Sequence, residues 1–311
     1  MTTNGSFGRD DFEPGFVLIS KLFAWCHLHY FFYFAFWAAL QIGFLYYGLK
    51  DRKFLLPWVG LNIMLGLYFM CWMNLIRQYV VVCAFVPMTL LILQRKAIPY
   101  VVCVALLYTI HHSALMLLPL YLFAYVKVDI KDSKVLIIIF LSCIILGVKP
   151  LWLSLFENFN NVLNVIGYEK YSKHLHEMIE SGGDIVRWGP CRISVLIVDS
   201  ICIWYYSEVK KHFSADKMLP LYFTLAFVGI CMENILINTN GIVLRSVQFM
   251  LVFVLILSAY TIEYFRQSKK WLPFGALCLC SFTYSYIVIL KAVFVPSKIL
   301  SASLYDFFFL E

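Results

Sequence analysis

Residues 98–125 read IPYVVCVALLYTIHHSALMLLPLYLFAY, an apolar run broken near its middle by His111, His112 and Ser113. Its flanks are basic on both sides, with Arg95 and Lys96 before it and Lys127, Lys131 and Lys134 after it. Each half, about 14 residues long, reaches only about 20 Å as a helix at 1.5 Å per residue, short of the roughly 30 Å hydrocarbon layer. Lys and Arg gather in the loops of the cytoplasmic side, so both ends of the block belong on one face. The expected structure is a broken hairpin that enters and leaves by that face, with His111, His112 and Ser113 at its tip. Irregular backbone at such depth is tolerated only where protein buries it or where it lines a cavity. One long tilted helix is the alternative, and it leaves the charge pattern unexplained.

The rest of the chain sets the hairpin in an apolar body. Of 311 residues, 62% are hydrophobic and 14% charged, against about a quarter charged in a soluble domain. This composition excludes a water-soluble enzyme and predicts an all-α, polytopic transmembrane bundle of about 8–10 membrane helices. Apolar blocks lie at 29–49, 54–73, 75–93, 98–125, 135–153, 190–206, 218–238, 243–262 and 271–290, with a shorter amphipathic piece at 16–25. The polar opening MTTNGSFGRDDF is no secretory signal peptide. All 311 residues read as one membrane domain.

The net charge of +7 comes from clusters between the blocks, not from a single nucleic-acid-binding patch. Besides those around 98–125, Lys50/Arg52/Lys53, Lys210/Lys211/Lys217 and Arg266/Lys269/Lys270 mark cytoplasmic loops. The outward side then receives residues 1–28, turns near Trp72–Asn74 and Asn238–Gly241, the loop 154–189 and the tail 291–311. The ten cysteines are scattered through apolar runs without metal-ligand or disulfide spacing, so they read as small apolar residues.

Polar side chains inside the blocks are costly, and each calls for a partner or a purpose. Arg77 has no acid in its own hairpin, since residues 54–93 contain no Asp or Glu, and it therefore suits an anionic ligand, with an acid from another helix as the alternative partner. Glu233 and Arg245 lie at similar depth below one turn, where an ion pair and a substrate role are both open. Asp199 has Arg192 seven residues back on its own helix face as a partner. Asn74 and Gln78, four apart, could cross-link helices.

These residues fall in motifs that resemble the EpsG family of bacterial exopolysaccharide proteins, related to the Wzy-type polysaccharide polymerases. F-E-P-G-F (Phe12–Phe16) precedes the first span, and N-L-I-R-Q (Asn74–Gln78) opens the third. H-H-S-A-L (His111–Leu115) matches the family's H-x-S-A-L, placing the family histidine at His111 and leaving His112 variable. Y-E-K-Y (Tyr168–Tyr171) lies in the outward loop, and R-S-V-Q-F (Arg245–Phe249) follows the Asn/Gly turn. The family usually has a further helix before the E-P-G element, and the sequence-based expectation is that this helix is missing here.

The resemblance implies a multi-pass protein of the bacterial cytoplasmic membrane. It would join undecaprenyl-pyrophosphate-linked oligosaccharide repeats into exopolysaccharide, capsule or O-antigen at the outer face. A chain-length regulator and a flippase would be its partners, and no metal, cofactor or nucleic acid would be needed. His111 or Glu13 would be the general base. Arg77 and Arg245 would bind pyrophosphate, because guanidinium makes bidentate bonds to phosphate, with Gln78, Ser113, Tyr168 and Tyr171 on the substrate. Two other classes share some features. A lipid-linked-sugar flippase would show two related halves, and H-H-S-A and N-L-I-R-Q have no second copy. A membrane O-acyltransferase would modify glycan without lengthening it.

Overall fold

The computed structural model describes residues 12–65, 68, 72, 74–126, 128, 130, 132–148, 189–238 and 241–281. Among them there is no strand. The helices are α1 (Pro14–Trp25), α2 (Tyr30–Gly48), α3 (Leu56–Leu65), α4 (Ile76–Leu93), α5 (Ala97–Tyr108), α6 (Leu117–Leu120), α7 (Ser133–Val148), α8 (Pro190–His212), α9 (Leu219–Ile235), α10 (Gly241–Gln267) and α11 (Trp271–Ser281). Three segments of described residues are long and apolar enough to cross a membrane: Tyr30–Gly48, Ile76–Leu93 and Leu244–Gln267. Among the described residues six shorter apolar helices accompany them, in keeping with the expected polytopic helical bundle. The turn expected at Trp72–Asn74 falls instead at Leu75, just before α4. The expected loop 154–189, except Gly189, and the tail 291–311 lie outside the described residues.

α10 forms the centre, packed against α9, α8, α4 and α3, while α7 packs on α8 and α9, and α2 lies outside α4. Lipid is as apolar as leucine, so close backbone approach holds such helices together where hydrophobic burial cannot. Gly229 shows this against α10, since a Cβ there would stand 2.8 Å from the Met250 Cβ. Gly147 is tighter still, its Cβ position lying 1.9 Å from the Asn234 carbonyl oxygen. On the outside, Phe31, Phe32, Ile42 and Tyr47 of α2 stay exposed, as a lipid-facing helix requires.

The two ends of the bundle differ. At one end Arg52 holds Asp216 through two bonds of 2.6 and 2.7 Å, Phe54 stacks on Phe213, and His212 bonds Gln267. At the other, Gln78 reaches the Arg245 carbonyl, Asn238 the Gly147 carbonyl, and Arg192 the Asn234 side chain. Basic clusters therefore gather at one end, as the charge pattern requires.

The block 98–125 is a broken hairpin. α5 stops at Tyr108, His111 is extended (φ −156°, ψ 125°), and the chain returns through the 3-10 turn His112–Met116, α6 and the 3-10 turn Tyr121–Ala124. The limbs are tied where the Tyr100 hydroxyl donates to the Leu117 carbonyl at 2.6 Å and its ring meets Tyr121 at 5.1 Å. The return brings Tyr125 under the Arg95 guanidinium at 5.1 Å, so both ends of the block meet at the basic end of the bundle.

Candidate functional site

The tip of this hairpin meets the start of the first helix. Pro14 at the first helical position leaves Glu13 extended (φ −62°, ψ 140°) as its N-cap. The N–H groups of Gly15 and Phe16 donate to the Thr109 carbonyl at 2.8 and 3.3 Å, which docks α1 on the end of α5. Only glycine fits at 15, because a Cβ would sit 2.5 Å from Thr109 Oγ1 and 2.9 Å from its carbonyl oxygen.

This docking buries the Glu13 carboxylate, 3% exposed, among three donors. His111 Nδ1 lies 2.7 Å from Oε1, the His112 N–H donates to the same oxygen at 3.2 Å, and Arg77 Nη1 donates to Oε2. Burial pushes the Glu13 carboxyl up, but the His111 bond, backbone N–H bonds and the Arg77 charge together hold it below the ordinary carboxylate range. Phe12 and Phe16 flank the Arg77 guanidinium at 4.9 and 5.0 Å. Phe12 and Phe16 around Arg77, Glu13 as acceptor, Pro14 at the helix start and Gly15 against Thr109 thus all act in one corner.

Two sequence expectations change here. Arg77 is not without a counter-ion, since its acid comes from Glu13, 64 residues earlier. Glu13 and His111, expected as rival bases, form one carboxylate–imidazole unit. With Nδ1 committed to Glu13, the imidazole offers Nε2, which has no hydrogen-bond partner among the described residues. The arrangement can take a proton at Nε2 and hold the resulting imidazolium beside an anion.

The remaining expected residues divide. Ser113 Oγ is buried at the hairpin tip with no hydrogen-bond partner among the described residues. His112 is exposed and its ring packs on Tyr108 at 4.8 Å. Gln78 spends its amide on the Arg245 carbonyl at 2.8 Å, so it ties α4 to α10. Arg245 is exposed and makes no ion pair with Glu233 among the described residues. Arg192 is likewise not paired with Asp199, because it donates to Asn234. Tyr168 and Tyr171 lie outside the described residues.

A second polar place was not foreseen as a unit. A cavity of about 210 Å³ opens among α3, α4, α8, α9, α10 and α11, lined by the polar Ser194, Asp199, Glu233 and Gln248 and the apolar Val195, Leu251 and Leu255. Its signal was present in α10, where Arg245, Gln248, Leu251, Leu255 and Ser258 recur at helical spacing on one face. Among the described residues no group of three His, Cys, Asp or Glu could hold a metal ion.

Fold and buried polar site together define a polytopic helical membrane protein with a buried carboxylate–imidazole–guanidinium cluster. The sequence matches the EpsG family over residues 1–304, and the chain belongs to that family. No curated protein and no solved structure matches it. Family membership makes it an integral membrane protein of polysaccharide biosynthesis, of the polymerase-like kind.

Proposed function

We propose that the protein lengthens glycan by joining undecaprenyl-pyrophosphate-linked oligosaccharide repeats at the outer face of the bacterial cytoplasmic membrane. The Glu13–His111 pair with Arg77 on the second carboxylate oxygen carries this reading. In it, an acceptor hydroxyl attacks the anomeric carbon of the donor repeat, the new C–O bond forms, and the bond to lipid pyrophosphate breaks. His111 Nε2 takes the hydroxyl proton, and Glu13 fixes the ring and stabilises the imidazolium. Arg77 has five N–H donors and uses one on Glu13, which leaves others for the departing pyrophosphate. Exposed Arg245, on the same end of the bundle, supplies a second guanidinium, and Ser113 Oγ a hydroxyl at the tip.

The experiment is turnover in proteoliposomes holding the purified protein and lipid-linked repeats. The reading expects a ladder of longer glycans with release of undecaprenyl pyrophosphate. Movement of intact repeats across the bilayer would make the protein a flippase instead. Acyl transfer at unchanged glycan length would make it an acyltransferase.

A further inference from the structure

Asp199 is 2% exposed, sits in the middle of α8, and its Oδ2 is buried with no hydrogen-bond partner among the described residues. It lines the 210 Å³ cavity together with Glu233. A buried carboxylate oxygen without a donor is expensive, so the geometry calls for an occupant that brings donors. Among the described residues, Glu233 and Arg192 are the other charged groups within electrostatic range of it. Two acids against one cation leave no net positive charge there to hold a phosphate.

The shape narrows the class of occupant. At about 210 Å³ the space is too open to cage a bare cation. Its lining mixes hydrogen-bonding groups, Asp199, Glu233 and the Ser194 hydroxyl, with the aliphatic side chains of Val195, Leu251 and Leu255. A sugar ring has the same mixed character, with hydroxyl donors at its rim and C–H groups on its faces. Tyr79 lines the cavity, its hydroxyl bonded to Gln248 at 2.9 Å. Tyr79 is two residues from Arg77, about 200° around α4 at 3.6 residues per turn. The cavity and the Glu13–His111 cluster therefore flank the same first turn of α4 on opposite sides.

We infer that this cavity is a saccharide-binding subsite that grips one uncharged or amino-bearing sugar of an oligosaccharide substrate, away from the reacting carbon, with Asp199 and Glu233 accepting its hydroxyl hydrogens. The inference rests on the glycan-lengthening reading for the identity of the substrate, but not for the existence of the site. Asp199 and Glu233 act as positioning residues, so their loss should appear in binding and KM and leave kcat nearly unchanged.

The test uses full-length protein in proteoliposomes and, as probe, the lipid-free repeat released by mild acid from the same lipid-linked donor. Binding is read by saturation-transfer NMR, and extension by initial rates. Asp199→Asn and Glu233→Gln should each weaken repeat binding and raise KM at least tenfold, with kcat within about twofold. Leu251→Phe, which fills the cavity and leaves both acids in place, should weaken binding as well. Repeat binding equal in wild type and all three variants, or absent from well-folded wild type, overturns the inference and leaves a cavity filled by water only. Variant-sensitive binding without any extension by wild type would sustain the subsite and refute the polymerase. Normal extension and unchanged KM in all three variants would sustain the polymerase and refute the subsite.

Discussion

The carboxylate of Glu13 is where the most functional weight falls on the fewest atoms. It holds an imidazole at 2.7 Å through Nδ1 and a guanidinium through its other oxygen. Glu13→Gln keeps the shape but removes the anion that fixes the ring and stabilises its protonated form. Chain extension should fall about 10²–10⁴-fold in kcat, the usual cost of disabling a general base, at unchanged membrane expression. A variant within threefold of wild type would detach Glu13 from the chemistry. Gly15→Ala tests the same corner from the packing side, because the added Cβ meets both Thr109 Oγ1 and the Thr109 carbonyl. It should lower extension at least tenfold by drawing Glu13 from His111. Thr109→Ala in the same chain should restore activity only in part, since the carbonyl contact at 2.9 Å remains. Full restoration, or no loss in the single variant, would show that the docking is loose.

Among elements, the hairpin was legible because charge and length act along the chain. Two basic flanks and two halves too short to cross left one economical path for residues 98–125. The pairing of side chains across helices was not legible in the same way. Counting residues from a turn gives depth, and depth put Glu233 level with Arg245, but it says nothing about which way each side chain points around its helix. Arg77 shows the same limit, since its counter-ion lies on a segment 64 residues away that only the docking of α1 on Thr109 brings near. The cavity around Asp199 carried no signal in the local sequence beyond helical spacing. At the basic end, the loop before α3 and the loop before α9 are latched by Arg52 on Asp216, backed by Tyr260 and the Met218 N–H. Burial raises the Asp216 carboxyl, but the Arg52 and Tyr260 bonds outweigh it and hold the group below the ordinary value. A depressed folded pKa means stability that is present above the unfolded value of about 3.9 and lost as pH falls through the folded one. Asp216→Asn should therefore cost about 3 kcal/mol of stability at pH 6, as for a largely buried pair broken on one side, and lower the thermal midpoint. The gap from wild type should shrink below pH 4. A gap independent of pH would remove the ion pair from the account.

At the scale of the whole molecule, the structure sorts its charges to two ends, with the Glu13–His111 cluster at the end opposite the Arg52–Asp216 latch. Single cysteines at 96 and 134, on a cysteine-free background, should label from the same side of the membrane. A cysteine at 245 should label from the other side. Labelling of 96 and 134 from opposite sides would replace the hairpin by a spanning helix and take His111 away from the outer half. The most direct test of the central claim compares His111→Gln with His112→Gln in the extension assay on lipid-linked repeats. The two histidines are neighbours, but His111 is bonded to Glu13 while His112 offers that carboxylate only its backbone N–H and turns its ring to Tyr108. His111→Gln should lose extension by about 10²–10⁴-fold while lipid-linked donor still binds, and His112→Gln should stay within about threefold of wild type. Equal damage from the two substitutions, or a full glycan ladder from His111→Gln, would contradict the assignment of His111 as the base.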